Sequence, residues 1–190
     1  SQKSKLKAFD IASEILEAEA KRNLEESQKV SLNVSEYEKF CDTFRFTETP
    51  DQERVIREVI SDLLSDKPQD RLICGEVGFG KTEVALRASF IVAQNGYQVC
   101  ILAPTTVLAK QHFEVFKERF SEFPYRICLL TREQTKTEKA EIYKKIKENH
   151  FSIIIGTHAL FNKEISFKSL NLLIIDEEHK FGVRQKEQIR

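Results

Sequence analysis

Apolar residues along this chain fall into two patterns. Short runs that are apolar at nearly every position occupy 71–74, 98–102, 125–130, 151–155 and 172–175. Between them, near 81–94, 106–120 and 136–149, apolar residues recur at three- and four-residue steps. The first pattern predicts strands buried on both faces and the second amphipathic helices; their alternation predicts a parallel sheet covered on both sides. Ligands of such a three-layer α/β domain bind beyond the carboxyl ends of the strands.

Three further helices are predicted ahead of the first strand. Leu6, Phe9, Ala12, Leu16, Ala20 and Leu24 place one over 5–26. After a polar break, Ser35 and Glu38 have the Ser-x-x-Glu spacing of a capping box and predict a short helix over 36–42. Thr49 can cap a third, with Pro50 in its first turn and Val55, Ile56, Val59, Ile60, Leu63 and Leu64 as its apolar stripe. Residues 1–45 read as a helical lead-in or linker, and 46–190 as the main domain.

With 190 residues, 41% hydrophobic and 32% charged, the chain has enough apolar sequence for one core plus an appendage. No apolar run approaches the roughly 20 residues that span a bilayer, and the start is polar where a signal segment would be apolar. A cytoplasmic protein with no membrane partner is expected. The absence of methionine suggests a piece of a longer protein. Thirty basic and thirty acidic residues cancel, so any nucleic-acid contact must be local. Cys41, Cys74, Cys100 and Cys128 form no CxxC pair, and three lie in strand-like runs, so buried reduced thiols are expected. The mixed charges of 136–148 recur at helical spacing and read as a solvated face.

Two motifs carry chemistry. Gly75, Glu76, Val77, Gly78, Phe79, Gly80, Lys81 and Thr82 match G-x-x-x-x-G-K-[ST] between a predicted strand and a predicted helix. Glycines let the loop curl so that backbone N–H groups converge on phosphate, and the helix N-terminus adds positive potential. Lys81 would reach the β- and γ-phosphates of ATP and Thr82 would ligate Mg2+; Glu83, the next residue, is counted with the nucleotide-binding set. The second motif follows the last strand: Asp176, Glu177, Glu178 and His179. Asp176 suits a magnesium ligand, and Glu177 is placed to orient and deprotonate an attacking water. His179 either couples the nucleotide to a partner surface or fills the loop.

A GKT loop followed by D-E-x-H resembles the superfamily 2 helicases and translocases, whose motor is a pair of RecA-like domains. The strings GEVGFGKTEVA (75–85), PTTVLAKQH (104–112), GTHAL (156–160) and DEEHKFGV (176–183) resemble the bacterial transcription-repair coupling factors, whose motor is RecG-like. Phe79 and Glu178 favour these over RecG-type branched-DNA helicases, which carry serine and glutamine there. The resemblance implies a first RecA-like motor domain of a double-stranded-DNA translocase. In that family, ATP hydrolysis drives stepping that displaces stalled RNA polymerase and helps recruit excision-repair proteins. It further implies an adenine-recognition element at Phe46, Thr49 and Gln52, although Thr49 and Gln52 also fit a helix cap. Thr105, Thr106, Gln111, Gly156, Thr157 and His158 fall in motifs resembling DNA-backbone contacts; without the family they are ordinary strand-end turns. The second RecA-like domain, with its arginine finger, would follow Arg190. The chain alone is therefore expected to bind nucleotide weakly and hydrolyse it poorly. A RecG-type motor and a nucleotide-dependent interaction module stand as alternatives.

Overall fold

The computed structural model describes residues 29–65, 72–75 and 81–176, with the backbone alone for 72–75. The helix expected over 5–26, the loop interior at 76–80 and the chain from 177 onward lie outside the described residues. Five strands form one parallel sheet: β1 (Leu72–Gly75), β2 (Gln98–Leu102), β3 (Ile127–Leu130), β4 (Ile153–Gly156) and β5 (Leu170–Asp176), in the order β1-β5-β2-β4-β3.

That order dictates where the connections run. A parallel crossover is right-handed in nearly all cases, so steps in opposite directions along the sheet must cover opposite faces. The first two steps carry α3 (Thr82–Gln94) and α4 (Thr106–Arg119). Val99, Ile101, Ile153, Ile155, Leu172 and Ile174 pack with their Phe90, Ala109 and Phe116 in one cluster. The steps back carry α5 (Lys136–Lys147) and the segment holding a 3-10 turn at His158–Phe161. Cys100, Leu102, Ile154, Leu173 and Ile175 pack there against Ile146, Leu160 and Phe167. Strand residues thus alternate between two cores, which is the expected three-layer α/β arrangement.

Ahead of the sheet lie α1 (Val34–Cys41) and α2 (Pro50–Leu64). Thr49 and Gln52 form a reciprocal capping box, with N–H···O distances of 3.0 and 3.1 Å. The other expected box, at Ser35, does not form. Asn33 caps α1 by accepting from the Glu36 N–H, so the helix starts earlier and Ser35 lies inside it. Strand and helix limits elsewhere move by up to two residues. Tyr125, expected in β3, turns its ring onto Phe90 and Phe120 instead. Cys100 and Cys128 are buried and in no disulfide, as expected, the Cys128 thiol pushed up to about 12 by burial, but Cys41 is only half-buried.

The segment before the sheet belongs to the first core. Phe40 stacks on Phe90 at 4.3 Å between centroids. Beside it lies a network of buried charge. Glu83, in the first turn of α3 and 4% exposed, accepts from Arg87 Nε and Arg119 Nη2, each at 2.9 Å. Arg87 also donates to Glu48, and Arg119 to Thr43 and the Phe40 carbonyl. Burial by itself pushes the Arg87 guanidinium down, but its hydrogen bonds to Glu48 and Glu83 outweigh this and hold it above its ordinary value. The Arg87 hydrogen bond in turn holds Glu48 below the usual glutamate range.

A carboxylate held below its ordinary pKa stabilises the fold above that value and loses the contribution as pH falls through the lowered one. Glu48→Gln is therefore expected to cost about 1 kcal/mol near pH 7. The gap in melting temperature from wild type should narrow below about pH 4. An equal gap at every pH in a thermal-shift series contradicts this. Gly156 ends β4 where an added Cβ would lie 2.4 Å from the Leu130 carbonyl oxygen and 2.8 Å from Leu160 Cγ. Since backbone cannot yield there, Gly156→Ala should destabilise by at least about 1–3 kcal/mol in urea titration. A neutral result shows that the sheet edge can give way.

Candidate functional site

Because the sheet is parallel, every strand delivers its following loop to one edge. Gly75, which opens the phosphate-loop motif, is the register partner of Asp176, which opens the acidic motif. On the far side of β5, Ile175 pairs with Leu102 of β2, and Leu102 with Gly156 of β4. The edge is therefore divided. Strands β1 and β5 present the nucleotide motifs side by side, and β2 and β4 present Thr105–Thr106 and Thr157–His158.

Helix α3 starts differently from the others. Asn33, Thr49, Thr105 and Thr135 cap α1, α2, α4 and α5 with side-chain oxygens. At the N-cap of α3 stands Lys81, exposed and with no side-chain cap hydrogen bond. Lys81 thus offers the first turn no side-chain acceptor, and a helix N-terminus of this kind favours an anion such as phosphate. Thr82, half-buried, begins the helix. The Glu83 carboxylate turns away into the Arg87 and Arg119 network, so its own offer to a nucleotide is its backbone N–H.

Asp176 is completely buried. Its Oδ2 accepts a 2.6 Å hydrogen bond from His112 Nε2 of α4. A carboxylate can only accept, so that ring nitrogen carries the proton. Its Oδ1 is buried with no hydrogen-bond partner among the described residues. One tied oxygen and one open, beside a phosphate-loop motif, fit a hard divalent cation; magnesium takes one or two protein oxygens and fills its shell with water and phosphate. In keeping with so sparse a protein ligand set, no group of three His, Cys, Asp or Glu among the described residues could hold a metal. His112, the last residue of the 104–112 string, is the functional candidate to which motif reading gave no role. Its signal was its place, with Ala109 and Phe116, on the buried stripe of α4.

The remaining candidates divide by exposure. Phe46 is 75% exposed, edge-on to Phe44, and stands just before the Thr49–Gln52 box. Thr105, Gln111 and His158 are exposed and Thr106 half-buried. Thr157 is buried, and its hydroxyl accepts from the Ala159 N–H. Gly156 is buried against Leu130 and Leu160, a packing reason for glycine. Glu76, Val77, Gly78, Phe79, Gly80, Glu177 and His179 lie outside the described residues.

Comparison with known proteins agrees with this geometry. The transcription-repair-coupling factor of Escherichia coli strain K12 is 45% identical over 189 residues, 100% of this chain and 16% of that protein. That of Bacillus subtilis strain 168 is 45% identical over 181 residues, 95% of this chain and 15% of that protein. The chain thus spans only a small part of these relatives. A solved structure of RecG bound to a three-way DNA junction matches with a TM-score of 0.71 at 32% identity, covering 91% of this chain and 24% of that one. The resemblance read from the motif strings is borne out, as is the RecA-like helicase fold. No helix among the described residues is long and apolar enough to cross a membrane. The model of the DEAD/DEAH box helicases matches residues 49–190, and the chain belongs to that nucleotide-binding helicase family.

Proposed function

We propose that this chain is the ATP-binding motor domain of a double-stranded-DNA translocase that acts on stalled RNA polymerase and couples transcription to nucleotide excision repair. The observation that carries this reading is the divided sheet edge, with Gly75 beside Asp176 on one half and the Thr105 and His158 turns on the other. Backbone amides of 75–80 and the uncapped start of α3 would hold the phosphates of ATP, and Lys81 would reach the β- and γ-phosphates. Thr82 and Asp176 would hold magnesium, which when bound neutralises charge on the phosphates. Glu177 would orient and deprotonate the attacking water. Phe46, Thr49 and Gln52 would meet the adenine; the capping box then presets the turn that carries them.

Thr105, Thr106, Gln111 and His158 would touch the DNA backbone, consistent with a chain whose net charge is zero. Short hydroxyls and turn amides grip phosphates without reading sequence, as stepping requires. RNA polymerase and repair proteins as partners of the full-length protein, and a cytoplasmic site of action, are supported by relatives named transcription-repair-coupling factor at 42% to 48% identity. The RecG structure at 32% identity supports a fork-directed motor as second reading, less strongly.

In the full-length protein, Lys81→Ala should abolish binding of a fluorescent ATP analogue. Glu177→Gln should keep that binding and lower DNA-dependent turnover by at least about a hundredfold. Full activity in Glu177→Gln would instead indicate an interaction module that merely senses nucleotide. An arginine finger from a second motor domain is typically worth ~10³–10⁵ in turnover, so the isolated chain should hydrolyse ATP poorly. Brisk DNA-stimulated turnover by the 190-residue chain overturns that.

A further inference from the structure

The Asp176 carboxylate has two side-chain torsions, and as a magnesium ligand it must be held in one orientation. Among the described residues its hydrogen-bond partner is His112, through Oδ2 at 2.6 Å. The other oxygen, Oδ1, is buried and unpartnered. His112 is itself fixed, being 7% exposed on the stripe that seats α4 against the sheet. The helix is fastened at both ends. Thr105 caps its start, and at its last turn Arg119 donates to Glu83, the residue that follows Thr82. One rigid element thus holds Asp176 on β5 and the first turn of α3 together, although the two are joined in sequence only through most of the domain.

We propose that His112 is a positioning residue for the metal site: by tying Oδ2 it sets Oδ1 of Asp176 toward the magnesium of the bound nucleotide. The inference rests on the nucleotide reading above and adds to it a residue outside both motifs. Hydrogen bonds behind metal-ligating carboxylates typically change metal affinity by about 10–100-fold when removed.

The test uses three variants of the full-length protein. His112→Leu removes the donor, His112→Asn leaves it short of Oδ2, and His112→Gln carries an amide N–H to about the same reach. Binding of a fluorescent ATP analogue is titrated with Mg2+ and repeated in EDTA, and Mn2+ occupancy is read by electron paramagnetic resonance. The Mg2+ concentration for half-maximal binding should rise about 10–100-fold in His112→Leu. It should rise about tenfold in His112→Asn and stay within about threefold of wild type in His112→Gln. Binding in EDTA should be the same for all, because the loop amides and Lys81 are untouched. Equal Mg2+ requirements for wild type, Asn and Leu variants overturn the proposal, as does a Gln variant impaired as badly as the Leu variant. Should His112→Leu not fold, the gap between Asn and Gln variants decides by the same measure. Wild-type protein that binds no nucleotide refutes the nucleotide reading itself, a result distinct from binding that ignores His112.

Discussion

All five described strands run the same way, and a right-twisted sheet accepts its crossovers with one hand only. The rest of the molecule depends on this constraint. It sends α3 and α4 to one face and α5 to the other, and gathers every strand-to-helix turn at a single edge. The residues that matter for chemistry are scattered through the sequence, and the pleat and register bring them into line. Gly75 and Asp176 are neighbours because β5 pairs with β1, and the hydroxyl-bearing turns are next in line because β2 and β4 follow.

Around that edge the fold holds charge where hydrophobic packing alone would be simpler. The Glu83, Arg87, Arg119 and Glu48 network joins both helices of one face to the segment that precedes the sheet. Buried ion pairs contribute little net stability once desolvation is counted, but they penalise any packing that leaves one member unpaired. Here they fix the relative placement of two helix ends. The guanidinium of Arg119 also lies 4.8 Å from the centre of the Phe40 ring, so aromatic and ionic contacts constrain the same point.

How much of this could be read from the sequence depended on whether the cause was local. Strands announced themselves as apolar runs because both faces are buried. Thr49 and Gln52 announced a helix start because a capping box needs only four consecutive residues. Its counterpart at Ser35 misled for the same reason: Asn33, two residues earlier, caps the helix through the Glu36 N–H and leaves Ser35 inside it. Tyr125 looked like strand because nothing nearby in sequence reveals the Phe90 and Phe120 rings it packs against. The phosphate loop and acidic box were legible as strings. The His112–Asp176 pair spans 64 positions and carries no spacing rule. Glu83 reads as part of the nucleotide motif by adjacency alone, and only the tertiary fold shows its carboxylate turned toward Arg119. Gly156 and Thr157 sat within a string suggestive of backbone contact, yet each also has a packing role invisible in one dimension.

The placement of β5 bears on how the molecule is made. It is the last of the five described strands in sequence but stands between the first two, paired to β1 on one side and β2 on the other. Until it arrives, β1 has no neighbour among the described strands and a slot stays open between β1 and β2. Contacts separated by about a hundred residues, such as Gly75 to Asp176, carry a large loop-closure cost and form late. During synthesis, a chain with β5 still in the ribosome can shape the β2-β4-β3 half and both helices beside it. Insertion of β5 then joins β1 to β2 and brings Gly75 beside Asp176 in the same event.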